Sequence, residues 1–161
     1  MIERCARLHC GQIAAGGDPF ELGSARPLDF GHWSAHKLES LSGFTLRHGE
    51  AVAVGIALDL LYASGEGLLS RVDAERVIRA MIRSGLPVWH AGLELRHPSG
   101  ALVVLDGIDE FRQHLGGGLH ITLPAPLATR MEVTHIDTAA MAAAVAALKL
   151  LVRALSEEET A

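Results

Sequence analysis

Apolar positions along this chain recur mostly at helical spacing. Ile2, Cys5, Ala6, His9, Cys10 and Ile13 follow a 3.6-residue period, so a first core helix is predicted up to the turn at Gly16-Gly17-Asp18-Pro19. A connector rich in Gly and Pro runs on to Phe30, and a second helix is expected over about Gly31–Ser42. After a loop over Gly43–Arg47, a long helix is predicted from His48 to Ser64, with Val52, Ile56 and Leu60 as its core stripe. Ala51, Val54 and Gly55 keep this helix slim, which lets neighbours approach closely and makes it the expected centre of a bundle. Ser70 is placed to cap a fourth helix over Val72–Ile82, with Val77, Ala80 and Met81 inward and Arg71, Arg76, Arg79 and Arg83 on a solvated face.

Gly85-Leu86-Pro87 ends that helix, and the segment to Gly100 reads as loop with at most a short apolar turn. A helix over Leu102–Leu115 is followed by Gly116-Gly117-Gly118, which reads as a helix stop. Leu119–Leu123 and Met131–Ile136 alternate as strands do, and they are expected to pair as a ribbon across Pro124–Arg130. Asp137 or Thr138 then caps an Ala-rich terminal helix to about Leu155, with Ser156–Ala161 as a fraying acidic tail. The fold class that results is mainly α: one helical bundle domain over residues 1–161 with a small β-ribbon.

Composition narrows the functions available. A net charge of −5 with scattered Lys and Arg gives no basic patch for nucleic acid or for an anionic membrane surface. The longest apolar stretches, Ala51–Leu61 and Ala139–Val152, are broken by Gly55 and Asp59 or by Lys149, so no membrane span is expected. The first residues lack the charged-then-apolar design of a secretory signal, which makes the cytoplasm the expected compartment and disulfides unexpected. Cys5 and Cys10 lie about 140° apart on a helix and read as small apolar fillers. Cys5 and His9 share a face, with a two-ligand metal contribution as the minor reading. No Gly-x-Gly-x-x-Gly follows an apolar strand, and the triple glycine follows a helix instead of opening one, so no phosphate cradle is visible.

The chemistry is concentrated between Gly31 and Glu50, which hold three of the nine histidines. His32 and His36 share a helix face, and His48 arrives from the next element. Imidazoles so grouped suit either a metal site or an acid–base centre. His90, His97, His120 and His135 are expected to face solvent, the last two on strand faces opposite the apolar ones. Arg112 and His114 precede the triple glycine and are candidates to approach a substrate.

The run Arg26-Pro27-Leu28-Asp29-Phe30-Gly31-His32-Trp33-Ser34-Ala35-His36-Lys37-Leu38-Glu39, followed by His48-Gly49-Glu50-Ala51-Val52-Ala53, resembles the C-terminal half of the sugar phosphate cyclase family typified by 3-dehydroquinate synthase. Order, residue types and spacing all agree. Glu110–Gly117 and Leu119–Leu123 are also similar to members that cyclise heptulose phosphates. The resemblance implies that His32 and His48 are ligands to Zn2+ or another divalent metal, and that His36 is the catalytic, proton-transferring residue that also contacts phosphate. It further implies that Arg26, Asp29 and Glu21 lie at the substrate. Helical spacing alone pairs His32 with His36, so the resemblance reassigns one of that pair. The reaction implied is transient oxidation by NAD, elimination of phosphate, reduction and closure of a carbocycle.

Three departures qualify that carry-over. Asp29 stands where the family has an amide, and a carboxylate is a poor neighbour for an anionic substrate unless protonated or paired. The family's lysines in the first helix and before the ribbon have no equivalents, with Gln12 and the Asp109–Phe111 region near those places. The family's third metal ligand, a Glu, and its NAD-binding half precede the matched region. A sugar phosphate substrate and a missing N-terminal half or partner chain are therefore the expected partners, with homo-oligomerisation open, and the isolated chain is expected to be inactive. The rival readings are an iron-class alcohol or polyol dehydrogenase domain and a non-catalytic helical module.

Overall fold

The computed structural model describes residues 2–16 and 28–160, with no account of the side chains at 12, 15, 16, 159 and 160. Six helices and one ribbon make up the described chain: α1 (Ile2–Gly16), α2 (His32–Leu41), α3 (His48–Gly65), α4 (Arg71–Arg83), α5 (Asp106–His114), β1 (Ile121–Pro124), β2 (Arg130–Val133) and α6 (Thr138–Thr160). Short 3-10 turns at Ala91–Glu94 and Val103–Leu105 link α4 to α5. The ribbon is antiparallel, with Ile121 opposite Val133 and Pro124 opposite Arg130.

The core is built around α3, which packs on α2, α4, α6 and β1. A helix enclosed on so many sides needs apolar residues all round, and α3 is buried at Ala51, Ala53, Val54, Gly55 and from Ala57 through Ala63. The expected Val52/Ile56/Leu60 stripe is thus corrected: Leu60 is buried, whereas Val52 and Ile56 are only half-buried. On α4 the buried residues are Ala74 and Ile78, flanked by Val77 and Met81, while Ala80 is exposed. The basic face of α4 is solvated as expected and carries Arg71–Glu75, Arg76–Asp73 and Arg79–Glu158 ion pairs.

Helix α1 departs most from expectation. Its residues 2–11 and 14 are exposed, Ile13 is half-buried, and none of its residues joins the core. Cys5 and Cys10 are accordingly free and exposed, not core fillers. The period correctly located a helix, but no described element covers its apolar face.

At the C-terminal end, the expected 102–115 helix divides into the 3-10 turn and α5. The strands are shorter than predicted, so His120 precedes β1 and His135 follows β2, instead of lying on strand faces. Asp137 Oδ1 accepts the Ala139 and Ala140 amides and caps α6, which stays helical to Thr160 where fraying was expected. By length and composition alone α6 could cross a membrane. Its Met141, Val145, Leu148 and Leu151 face instead lies in the core, and Lys149 pairs with Glu94.

Candidate functional site

The site forms where α2 crosses α3, and two glycines set how close that crossing is. Gly31 caps α2 with a φ of 81°, and a Cβ on it would lie 2.6 Å from the Ile56 nitrogen. A Cβ on Gly55 would lie 2.0 Å from the Gly31 carbonyl oxygen, so neither position accepts a side chain without moving a backbone. Asp59, fully buried one turn further along α3, accepts the Gly31 amide at 3.1 Å and Trp33 Nε1 at 2.9 Å. Burial pushes its carboxyl up to about 7, against the downward pull of the Trp33 and Gly31 donors.

This crossing brings together the three histidines singled out in the sequence. His32 is the first residue of α2, His36 lies one turn on, and His48 opens α3. Their ring centroids are 5.2 Å apart for His32–His48, 5.7 Å for His32–His36 and 6.0 Å for His36–His48. His48 is set at the helix start by Glu50, whose carboxylate accepts the Arg47 amide and guanidinium at 3.0 Å and 2.6 Å. That ion pair holds the Glu50 carboxyl below its ordinary range.

Two of the rings are oriented by acceptors. His32 Nδ1 lies 3.3 Å from the Phe30 carbonyl oxygen, and His48 Nδ1 lies 3.3 Å from Glu39 Oε1. Both partners only accept, so each bond requires the proton on Nδ1 and leaves the Nε2 lone pair available. His36 has no corresponding bond among the described residues. Its pKa is lowered, first by desolvation and then by His32, with His48 and His114 adding and Glu39 opposing. His36 is therefore biased toward the neutral imidazole, the form that accepts a proton or a metal. A second grouping is also close, since ligand atoms of His36, Glu39 and His48 lie within 4.8 Å of one another.

A cavity of about 200 Å³ opens beside His36, lined by Trp33, Gly107, Glu110, Phe111 and His114. His114 stands 6.2 Å from His36 between ring centroids, which brings the α5 histidine to the same place. Lys37, largely covered, donates to Glu110 at 2.5 Å and lies 3.6 Å from Asp106, so its charge is already matched. Asp29 sits in the turn before α2, where its carbonyl accepts the His32 amide at 2.9 Å. Arg26 and Glu21 lie outside the described residues. Of the other histidines, His97 pairs with Asp106 at 3.0 Å and His90 caps a 3-10 turn, so both have structural partners. Sequence reasoning missed Glu39, Lys37 and Asp59 as parts of the site. Glu39 could have been found as the residue one turn beyond His36, and Asp59 as the lone charge in the apolar run of α3.

Comparison with known proteins agrees with this geometry. Residues 1–104 match the family described as 3-dehydroquinate synthase C-terminal. The chain is 34% identical over 128 residues to a 3-dehydroquinate synthase of Desulforamulus reducens, covering 79% of this chain and 34% of that relative. It is 33% identical over 135 residues to a 2-epi-valiolone synthase of Actinosynnema mirum, covering 83% and 35%. It thus spans about a third of the length of the curated relatives it matches. A solved 2-epi-5-epi-valiolone synthase of Streptomyces hygroscopicus subsp. jinggangensis, with NAD+ and Zn2+ bound, superposes with a TM-score of 0.77 at 25% identity over 91% of this chain and 39% of its own. The similarities favour the cyclases over the iron-class dehydrogenases weighed on sequence. With a helical bundle, a two-stranded ribbon and a family match over residues 1–104, the chain belongs to the 3-dehydroquinate synthase C-terminal family.

Proposed function

We propose that this chain is the metal- and substrate-binding part of a sugar phosphate cyclase that eliminates phosphate and closes a carbocycle. The observation that carries the reading is that His32 and His48 each turn Nδ1 to an oxygen acceptor. Metal-bound histidines characteristically give their second ring N–H to a carboxylate or carbonyl, and Glu39 and Phe30 take those bonds here. Two imidazoles with Nε2 free and rings 5.2 Å apart fit a divalent ion such as Zn2+, the metal held by the structural neighbour. When bound, such an ion polarises substrate oxygens and stabilises alkoxide or enolate charge. A catalytic zinc takes three protein ligands, so a further one must join His32 and His48.

NAD does not fit the described residues. A dinucleotide is held where a glycine-rich turn links a parallel strand to a helix, and their only sheet is an antiparallel ribbon. The nucleotide therefore belongs to a further region, by analogy with the longer relatives.

Within this chain, His36 is the proton-transfer residue. In its neutral form it takes a proton from a substrate hydroxyl at the mouth of the cavity, and as imidazolium it donates to an oxygen of the departing phosphate. Trp33 and Phe111 wall that cavity and limit water, while His114 reaches it from α5. Arg26, Asp29 and Glu21 are assigned to the substrate's polar groups on the family pattern. Two free cysteines suit a reducing cytoplasm.

The test is to assay this chain together with its nucleotide-binding region, supplied with NAD+, Zn2+ and a seven-carbon ketose phosphate. Phosphate release with no net NADH, lost in His36→Ala, is the expected result. Net NADH from polyols without phosphate release would assign a dehydrogenase instead, and neither activity would leave a non-catalytic module.

A further inference from the structure

Asp59 is the one fully buried carboxylate among the described residues, and the chemistry outlined above does not use it. A carboxylate in a core costs stability unless both oxygens find donors, and an apolar side chain of similar size is often the more stable choice. Both oxygens do find donors here, and the identity of the donors is informative. Oδ2 accepts the Gly31 amide at 3.1 Å and Oδ1 accepts the Trp33 indole at 2.9 Å. The two donors flank His32, one residue on either side.

The geometry makes the clamp hard to replace. The start of α2 has no side-chain cap of its own, so the Gly31 amide is satisfied from α3. A negative group at this end also complements the partial positive charge of the α2 N-terminus. Gly31 is in a left-handed conformation and its carbonyl sits against Gly55, leaving the turn no slack toward α3. Trp33 is only 1% exposed and anchors the far side of the same turn. His48 lies on the same helix as Asp59, so a single rigid element presents one histidine and holds the turn carrying the other.

We propose that Asp59 is a positioning residue: by gripping Gly31 and Trp33 on either side of His32, it fixes the His32 imidazole against His48. It touches no substrate or metal and acts only through the turn. Its metal readout rests on the assignment of His32 as a ligand, whereas its effect on the His32 ring does not.

The experiment compares wild type, Asp59→Asn and Trp33→Phe by titration with Co2+ alone, by NMR of the His32 ring protons and by thermal melting. Asp59→Asn puts an NH2 group where two donors need acceptors, and Trp33→Phe removes one of the two bonds while keeping an aromatic ring. Asp59→Asn is expected to weaken Co2+ binding about 10- to 100-fold, in the range for supports of metal ligands, and to shift the His32 resonances but not those of His135. Trp33→Phe should give a smaller change of the same kind. Folded variants that melt lower yet keep wild-type Co2+ affinity and His32 resonances would make Asp59 merely structural and overturn the proposal. If wild type binds no Co2+, His32 and His48 do not hold the ion without the further ligand, and the His32 shifts alone decide. Should neither variant fold, the wild type decides: the Gly31 amide and Trp33 Nε1–H must both exchange slowly, and rapid exchange of either contradicts the clamp.

Discussion

Helices α1 and α3 are both rich in apolar residues, yet their surroundings are opposite. Ile2 and Leu8 of α1 are 85% and 68% exposed, whereas α3 is buried from Ala51 through Ala63 except at Val52 and Ile56. In sequence α1 shows the cleaner period, because a helix that buries one face needs one apolar stripe. Helix α3 shows almost none, because it is covered on several sides. Periodicity therefore locates an apolar face but does not say what covers it. The difference also bears on function: the site is built on the enclosed helix, where neighbouring backbones cannot shift.

The sharpest way to break this contrast is at the α2–α3 crossing. Gly55→Val places atoms where the Gly31 carbonyl already sits and should cost upward of about 3 kcal/mol or prevent folding, as followed by circular dichroism on heating. A Gly55→Val variant that melts like wild type would refute the close crossing. Leu58→Ala, a truncation in the core of α3, should cost about 2–5 kcal/mol in chemical denaturation.

Asp59 gives a pH dependence of its own. Its carboxyl is raised to about 7 by burial, while the unfolded chain releases that proton near 3.8. Between those values the folded state binds more protons, so this contribution is fully present below about 3.8 and is lost as pH rises to about 7. The loss is on the order of a few kcal/mol and should be missing from Asp59→Asn when the two are unfolded in urea across that window. Parallel pH profiles would mean that Asp59 titrates as it does in solvent. At the far end of the scale, Leu8→Ala on α1 should change stability by no more than about 0.5 kcal/mol, and a loss of several times that would show that α1 is packed.

The elements themselves were legible because caps and stops are local. Ser70 before α4, Asp137 before α6 and the glycines after α5 are where the sequence placed them. The His32, His36 and His48 grouping was legible for a similar reason, since one turn of helix and one short connection fix it. Burial was less legible, as α1 and the Val52 stripe show. Glu39 and Asp59 were hidden because their roles depend on how α2 crosses α3, a contact between residues up to 28 positions apart. The last turns of α6 likewise carry a contact distant in sequence, the Arg79–Glu158 pair.

Calorimetric titration of Zn2+ into wild type, His32→Ala, His48→Ala, His36→Ala and Glu39→Gln tests the assignment of roles most directly. If His32 and His48 hold the metal, each of their alanine variants should lose more than about 100-fold in affinity. Glu39→Gln should lose about 10- to 100-fold as the support of His48, and His36→Ala should bind nearly as wild type. Loss of binding in His36→Ala and Glu39→Gln with none in His32→Ala would contradict the account and place the ion on the His36, Glu39 and His48 grouping instead.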